Sequence, residues 1–280
     1  MRRGIEPVVG GKIAALVRPT GRLQPIKIEP RFDRFQKHLL GRQIASIGRR
    51  GKRVLLWLCD ASVVVIEPRM TGLVLLEEPP SAEHVRLRLI FDSPFPHEEL
   101  IFWDRRGLGT VTWLSGEQYA QVLGPQRLGP DALEIECQEL RARLEHSQRA
   151  VKVALLDQKV VAGIGNLYAS EILHLAGIDP RLPCRRLSGP QWRRLHHSIG
   201  VVLQAAILHE GSTLSDGTYR NALNNPGGYQ NHHRVYDRAK SLCVRCQAGT
   251  IERLVQAQRS TFFCPVCQQK RGLHPQVEAV

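Results

Sequence analysis

Short apolar runs separated by turn residues dominate the chain from residue 54 to residue 113. The runs are rich in Val, Ile and aromatic residues, and no helical pattern lies between them. Runs of this length and spacing are typical of the strands of an antiparallel sandwich or barrel. We therefore predict strands at 54–58, 62–66, 72–76, 84–91, 100–103 and 109–113.

The hydrophobic pattern changes to that of helices after a Gly- and Pro-rich join at 124–130. Asp131 is placed to cap a helix whose apolar face is formed by Leu133, Cys137, Leu140 and Leu144. Similar patterns predict helices at 150–156, 168–175 and 190–209. Together the two patterns predict an α+β protein of two domains, an antiparallel β-sandwich followed by a helical domain.

The balance of charges indicates a polyanionic partner. The chain has a formal net charge of +13 and a pI near 9.9. Such a basic surface favours nucleic acid, with the ribosome or an anionic membrane surface as alternatives. No apolar run approaches the roughly 18 residues of a membrane span, and no apolar signal region follows Met1-Arg2-Arg3-Gly4. We expect a cytoplasmic, nucleoid-associated protein without a membrane partner.

Four cysteines near the C-terminus form two Cys-x-x-Cys pairs, Cys243 with Cys246 and Cys264 with Cys267. Two such pairs at this separation fit a closed tetrahedral zinc site with a hairpin between them, so we predict one structural Zn²⁺. Two disulfides or a redox pair are the alternatives. A redox Cys-x-x-Cys normally opens a helix after a strand, and that layout is absent here.

Two further stretches carry groups that suit a phosphate. Arg259 lies at the tip of the hairpin between the cysteine pairs, and a planar guanidinium can hold two phosphate oxygens at once. Gly163 and Gly165 precede a predicted helix, so the backbone can approach another molecule closely there, and Asn166 adds a side-chain donor. A plain tight turn is the alternative interpretation of the two glycines.

Several motifs, in one order along nearly the whole chain, resemble the formamidopyrimidine-DNA glycosylase and endonuclease VIII family. They lie at residues 2–7, 51–52, 69–72, 104–109, 155–158, 166–168, 235–238 and 259–264. The resemblance implies a sandwich domain at 1–124, a helical domain with a helix-two-turns-helix element at 130–234, and a zinc finger at 235–270. It also implies a repair enzyme that acts on damaged double-stranded DNA, and one DNA cleft per chain favours a monomer.

By this resemblance, the enzyme would remove an oxidised purine, 8-oxoguanine or a formamidopyrimidine, by Schiff-base formation at the sugar C1′, followed by β- and δ-elimination. The target base must first leave the stack, and side chains must fill the gap. The family uses a Met, an Arg and a Phe. Met70 and Arg106 match the first two, and Leu108, an apolar wedge, stands where Phe is common. Burial in the sandwich core is the alternative for Met70 and Leu108.

Other residue roles are implied by the same resemblance. Lys52 matches a lysine that the family credits in β-elimination, although it also lies in a basic run that could be a solvated face. Arg259 matches the zinc-finger arginine that grips the phosphates flanking the flipped nucleotide and assists the second elimination. Lys152 and Asn166 match phosphate-binding positions, and residues 211–229 match the loop that covers the flipped base.

The start of the chain departs from the family pattern. Family members begin Pro-Glu-Leu-Pro-Glu-Val-Glu-Thr before the Arg-Arg-Gly segment, with the proline as nucleophile and the adjoining glutamate as acid. We expect the native N-terminus to lie upstream of Met1. A DNA-binding paralogue without excision is the alternative. A zinc-ribbon ribosomal or transcription factor is a third hypothesis, which leaves Met70, Arg106 and Leu108 without a role.

Overall fold

The computed structural model describes residues 1–20 and 23–269 of the chain. The contacts between residues divide it into two compact units. The first contains Met1–Gly124 and His209–Gln230, and the second contains Pro125–Leu208 together with the residues from Asn231 on. None of the described helices is both long and apolar enough to cross a bilayer.

The first unit begins with a 3-10 helix at Arg3–Val8 and is otherwise built mainly of strands. Its regular elements are β1 (Ile13–Val17), β2 (Lys27–Glu29), α1 (Phe32–Leu39), β3 (Ile44–Arg50), β4 (Arg53–Leu58), β5 (Val63–Glu67), β6 (Gly72–Leu75), β7 (Val85–Phe91), β8 (Glu99–Asp104), β9 (Thr110–Leu114) and α2 (Gly116–Leu123).

These strands form a four-stranded sheet, ordered β1-β7-β8-β6, and a five-stranded sheet, ordered β2-β9-β5-β4-β3. Side chains of both sheets, such as Leu56 and Leu89, share one buried apolar cluster. The six strands predicted from the sequence and the sandwich are confirmed. The sequence had predicted wholly antiparallel pairing. This was wrong for one pair, because the three-residue β2 pairs in parallel with β9.

The long apolar runs of β4 and β5 are explained by packing on both faces of the sheet. On one face, Leu56 and Val64 join the sandwich core. On the other, Leu55 and Val65 pack in a second cluster with Leu123 of α2. Because neither face of these strands meets water, the sequence reads as nearly continuous apolar residues rather than as an alternation.

The segment His209–Gln230 packs within the first unit, although the sequence analysis had placed it in the helical domain. The backbone N–H of Leu76 donates to the carbonyl of Ala222 at 2.8 Å. Gly4 approaches the same residue so closely that a Cβ on Gly4 would lie 2.7 Å from the Cβ of Ala222. The Asn224 side chain adds a hydrogen bond to the carbonyl of Glu78 at 2.8 Å.

The second unit is helical and ends in a two-stranded hairpin. Its elements are α3 (Cys137–Leu144), α4 (Val151–Leu155), α5 (Asn166–Ala176), α6 (Gly189–Leu208), β10 (Glu252–Gln256) and β11 (Arg259–Phe263). Gly177 has a φ of 64° and ends α5 in the left-handed conformation that glycine adopts most readily.

The sequence had predicted that Asp131 caps a helix, and this prediction was wrong. Its carboxylate accepts from the N–H of Leu133 at 3.1 Å, and the N–H of Ala132 donates to the carbonyl of Ala162 at 2.9 Å. Because the backbone around Asp131 is paired with another segment, the helix begins only at Cys137.

Candidate functional site

The four cysteine sulfurs of the hairpin region have the spacing of a metal site. The Sγ atoms of Cys243 and Cys267 are 3.8 Å apart, and those of Cys246 and Cys264 are 3.7 Å apart. All four lie within 4.8 Å of one another. A tetrahedron with Zn–S bonds of about 2.3 Å has S···S edges of roughly 3.8 Å. The sulfurs are too far apart for disulfides, whose S–S bond is about 2.05 Å.

The four sulfurs are clustered and partly or fully buried, so a cation between them would stabilise their ionised form. Burial raises the pKa of the Cys264 thiol to about 11, and the nearby Cys243 sulfur acts in the same direction. Burial also opposes the ionisation of Cys246, but backbone N–H groups outweigh it and lower the pKa of that thiol to about 6. A zinc ion would balance the clustered thiolate charge. Four protein ligands would leave no open coordination position, so the metal would be structural.

The hairpin that follows the first cysteine pair presents Arg259 at its tip. Ala257 and Gln258 form its turn with φ angles of 46° and 60°. Two successive residues with positive φ are the geometry of a tight two-residue hairpin turn. Gln256 and Arg259 are the last pair of the ladder, and the Arg259 side chain is exposed.

Lys152 lies directly beneath this hairpin and is fully buried. Its Nζ donates to Asn166 Oδ1 at 2.7 Å, to the carbonyl of Ser260 at 2.9 Å and to Thr261 Oγ1 at 2.8 Å. Asn166 Nδ2 also donates to the Ser260 carbonyl, at 3.0 Å. All three ammonium protons are therefore donated to protein acceptors. The resemblance implies a phosphate-binding position for Lys152. In the structure, its ammonium connects α5 to the hairpin.

The glycine-rich turn before α5 is held by one side chain. Gln158 Oε1 accepts from the N–H of Gly163 at 3.0 Å, and its Nε2 donates to the carbonyl of Ile164 at 3.1 Å. Gly163 has a φ of 110°, which side chains rarely tolerate. Gly165 precedes the first residue of α5 and supplies no capping side chain. The first N–H groups of α5 therefore lack a side-chain cap, which suits an anion.

In the first unit, Met70, Arg106 and Leu108 are exposed, and we call these three residues the wedge. Met70 is 72% exposed and Leu108 is 48% exposed. Their burial in the sandwich core, the alternative left open above, does not occur. Arg106 Nη1 lies 3.1 Å from the Sδ of Met70, so two turns that are distant in sequence bring these side chains together.

A buried carboxylate that the sequence analysis did not single out supports the wedge. Asp104, at the end of β8, is inaccessible to solvent. Its oxygens accept from the hydroxyl of Thr71, from the N–H of Arg106 at 3.3 Å and from the N–H of Gly109 at 2.7 Å. The side chain of Arg86 donates to the Asp104 carbonyl at 2.8 Å. The signal in the sequence was an acid between a strand and the Arg-Arg-Gly turn.

Lys52 is exposed in the turn between β3 and β4. Glu67 connects this region to the turn that carries Met70. Its carboxylate is 2.9 Å from Arg53 Nη2 and 3.0 Å from Arg69 Nε. Lys52 and Met70 therefore lie in neighbouring turns of the same unit.

A β-sandwich with an exposed apolar wedge, a helical unit with a glycine-rich turn and a four-cysteine hairpin define the class of zinc-finger DNA glycosylases. Three family models match this chain: the formamidopyrimidine-DNA glycosylase N-terminal domain at residues 1–111, the H2TH domain of the same enzymes at 127–218, and the zinc finger found in FPG and IleRS at 240–270. The chain belongs to the formamidopyrimidine-DNA glycosylase family, whose members are DNA-binding repair glycosylases.

Individual relatives are similar in sequence to this chain along most of its length. It is 43% identical to the formamidopyrimidine-DNA glycosylase of Chloroflexus aurantiacus over 249 residues, which cover 87% of this chain and 86% of the relative. It is 34% identical to that of Latilactobacillus sakei over 277 residues, which cover 97% and 96%.

Solved structures of relatives have a similar fold along nearly the whole chain. The Lactococcus lactis Fpg bound to DNA with an abasic site superposes with a TM-score of 0.84 at 32% identity, covering 96% of this chain and 97% of that one. The G226P mutant of that protein, bound to DNA containing Fapy-dG, superposes with a TM-score of 0.85 at the same identity and coverage.

Proposed function

We propose that this protein excises oxidised purines, 8-oxoguanine and formamidopyrimidines, from duplex DNA and cuts the strand by Schiff-base formation and β,δ-elimination. The observation that carries the proposal is the exposed wedge held on a buried Asp104. An exposed Met beside an Arg has little value for stability, but it suits insertion into a base stack. The Lactococcus lactis relative, which is known in complexes with abasic and Fapy-dG DNA, supports the same substrate class.

The wedge would stabilise DNA from which the damaged nucleotide has been turned out. Unstacking a base costs a few kcal/mol, which apolar side chains in the gap can offset. Met70 and Leu108 would fill the space, and Arg106 would donate to the base left without a partner. The hydrogen bonds to Asp104 would keep the Arg106 backbone in place before the DNA arrives.

We expect Met70→Ala to slow single-turnover excision of 8-oxoguanine about tenfold, because the lost apolar contact no longer offsets unstacking. The fluorescence of a 2-aminopurine placed next to the lesion would report the loss of extrusion directly. Val122→Ala, which removes another exposed apolar side chain of the same unit, in α2, should leave both measurements unchanged. Equal rates for Met70→Ala and the native protein would exclude the wedge role.

Phosphates next to the lesion would bind in the second unit. Arg259 would hold two phosphate oxygens with its guanidinium. Asn166 and the uncapped start of α5 would supply neutral donors. The proposed role of Lys152 is to position these groups and to add a charge beside them, rather than to touch the phosphate.

Lys152 should make DNA affinity depend on pH. Burial lowers the pKa of Lys152 to about 8, and the charge of Arg259 acts in the same direction. DNA favours the charged form, so this contribution is present below pH 8 and is lost as pH rises through it. We expect Lys152→Met to bind duplex DNA about tenfold more weakly at pH 7, since its acceptors lose a charged donor, and to lack the decline above pH 8 that we expect of the native protein.

Fluorescence anisotropy at constant ionic strength, from pH 6.5 to 9.5, would measure both effects, with ~0.5 pH steps to resolve a single titration. Lys159→Met is the matched control, because Lys159 is exposed in the same unit and its loss should lower affinity without changing the pH profile. If the DNA affinities of the native protein and Lys152→Met changed with pH in the same way, the pH dependence would not come from Lys152.

We also propose one zinc ion per chain and a monomeric enzyme. The described residues contain a single closed set of four thiolate ligands. The chain as a whole contributes one copy of each proposed DNA-contacting group. Metal analysis of the purified protein and its mass in solution would test these two statements.

The substrate class is tested with end-labelled duplexes that contain 8-oxoguanine opposite cytosine, a formamidopyrimidine, dihydrouracil or no lesion. We expect release of both purine lesions and strand breaks with phosphates at both ends, which β,δ-elimination leaves. Faster release of dihydrouracil would overturn the purine assignment. Tight binding of lesion DNA without release or cleavage would indicate a damage-binding protein instead.

A further inference from the structure

Helix α5 is connected to the zinc hairpin region at both of its ends. At its start, Asn166 and the neighbouring Lys152 hold the Ser260 carbonyl of β11. Near its end, His174 approaches the first cysteine of the metal set, Cys243. The first connection belongs to the proposed phosphate site. The second has no part in the function described so far.

His174 lies on α5 and is fully buried. Its Nε2 lies 3.4 Å from the Sγ of Cys243, a distance that suits an N–H···S hydrogen bond. Its other nitrogen, Nδ1, is buried and has no hydrogen-bond partner among the described residues. A zinc-bound thiolate can only accept, so a neutral His174 must carry its proton on Nε2 to make this bond.

The backbone at the end of α5, next to His174, is held by contacts from the zinc finger. Arg245 Nη1 donates to the carbonyl of His174 at 3.2 Å. Gln268 Nε2 donates to the carbonyl of Ile178 at 2.9 Å, just beyond the end of α5. The Oε1 of the same Gln268 accepts from the N–H of Cys264 at 2.9 Å. Both cysteine pairs are thus tied to the end of the helix that carries His174.

We propose that His174 donates its Nε2–H to the thiolate of Cys243 and is a positioning residue of the zinc centre, supplied by helix α5 rather than by the finger. It is not a metal ligand, because the close set of ligand atoms contains only the four cysteines. The proposal rests on zinc binding by this set and not on base excision.

Such a bond has two consequences for the metal site. It spreads the negative charge of a buried thiolate, and it fixes the direction of the sulfur toward the metal. It would also link the cysteine set, through α5, to the hairpin contacts of Asn166. Asn166 and His174 are eight residues apart, which corresponds to about 12 Å along a helix.

The experiment compares the native protein with His174→Phe, which keeps a flat ring but has no donor, and with His174→Gln, whose amide nitrogen can take the place of Nε2. His196→Phe is the control, because His196 lies in the same unit and its ring bonds a backbone carbonyl, that of Ile135 at 2.8 Å, rather than a cysteine sulfur. The measurements are zinc affinity by competition with a chromogenic chelator and the sulfur-to-metal charge-transfer band of the Co²⁺-substituted protein.

We expect His174→Phe to weaken zinc binding about 10- to 100-fold, the usual effect of losing a group that supports a metal ligand. Its charge-transfer band should move to lower energy, because a thiolate without a donor gives up electrons more easily. His174→Gln should recover most of both properties, and His196→Phe should leave both unchanged. Unchanged affinity and spectrum in a folded His174→Phe protein would overturn the proposal.

A measurement on the native protein covers the case in which His174→Phe does not fold. Nitrogen NMR of the ¹⁵N-histidine-labelled, zinc-loaded chain identifies which ring nitrogen of His174 carries the proton. We expect the proton on Nε2, with slow exchange, and a scalar coupling across the bond when ¹¹³Cd replaces zinc. A proton on Nδ1 alone would exclude donation to Cys243.

Discussion

Removal of the zinc ion, or the substitution Cys264→Ser, is expected to reduce the affinity for lesion DNA by about 100-fold or more. The finger has few apolar residues of its own, since its core consists of Val235, Ile251 and Phe262 packed against the cysteines. Structural zinc supplies about 10–16 kcal/mol of binding free energy to such small folds. Without the zinc ion, the cysteine pairs no longer hold the β10–β11 hairpin in place, and Arg259 is no longer held at the proposed phosphate site.

The affinity is measured by anisotropy after dialysis against a chelator and again after zinc is restored. Cys137→Ser is the matched control, because Cys137 is a partly buried cysteine of the same unit outside the metal set. Restored affinity on addition of zinc to the native protein, but not to Cys264→Ser, is the expected pattern. Undiminished binding by the metal-free chain would show that the hairpin does not contact DNA.

Arg259→Ala is expected to cause the second largest loss, about 10- to 100-fold in lesion-DNA affinity, because a charge-assisted bidentate contact contributes about 1.5–3 kcal/mol. The salt dependence of binding should also weaken by about one phosphate contact. Strand cleavage should be impaired more than base release, since the proposed role of Arg259 includes assistance to the second elimination. Arg259→Lys keeps the charge but not the fork, so it should recover only part of the affinity.

Arg253→Ala removes the same charge from the same hairpin. Arg253 pairs with Phe262, and its guanidinium contacts the Ser260 hydroxyl at 2.9 Å, on the opposite face from Arg259. Arg253→Ala should therefore lower the DNA affinity only slightly, through the loss of one positive charge. Equal losses for Arg253→Ala and Arg259→Ala would mean that only net charge matters and that Arg259 has no specific phosphate contact.

Local sequence patterns predicted much of the fold. Strands such as β5 and β7 carry enough Val, Ile and Leu to be recognised alone, and two Cys-x-x-Cys pairs define a metal site by their spacing. The short β2 has only Lys27, Ile28 and Glu29, so it exists because β9 pairs with it and not because of its own pattern. Likewise, the helix after Asp131 began late because of a tertiary contact, with Ala162.

The candidate site was less accessible to prediction, since its residues meet only in the folded chain. No local pattern in the sequence places Arg106 next to Met70, or Asp104 beneath them, and only the family resemblance grouped Met70 with Arg106. The resemblance assigned Lys152 to a phosphate, whereas burial and three protein acceptors make it a support for the hairpin. His174 gave no signal at all, because a lone histidine on an apolar helix face is most often an ordinary core residue.

The most direct test of the proposed function is borohydride trapping with a duplex that contains 8-oxoguanine, followed by peptide mapping of the adduct. Native protein from its own source is incubated with the duplex and borohydride, digested and analysed by mass spectrometry. We expect a covalent DNA adduct on the amine of the N-terminal peptide, with none on undamaged DNA. An adduct on Lys52 instead would make that lysine the nucleophile. Lesion DNA bound tightly, with no adduct and no released base, would contradict the glycosylase and lyase activity altogether.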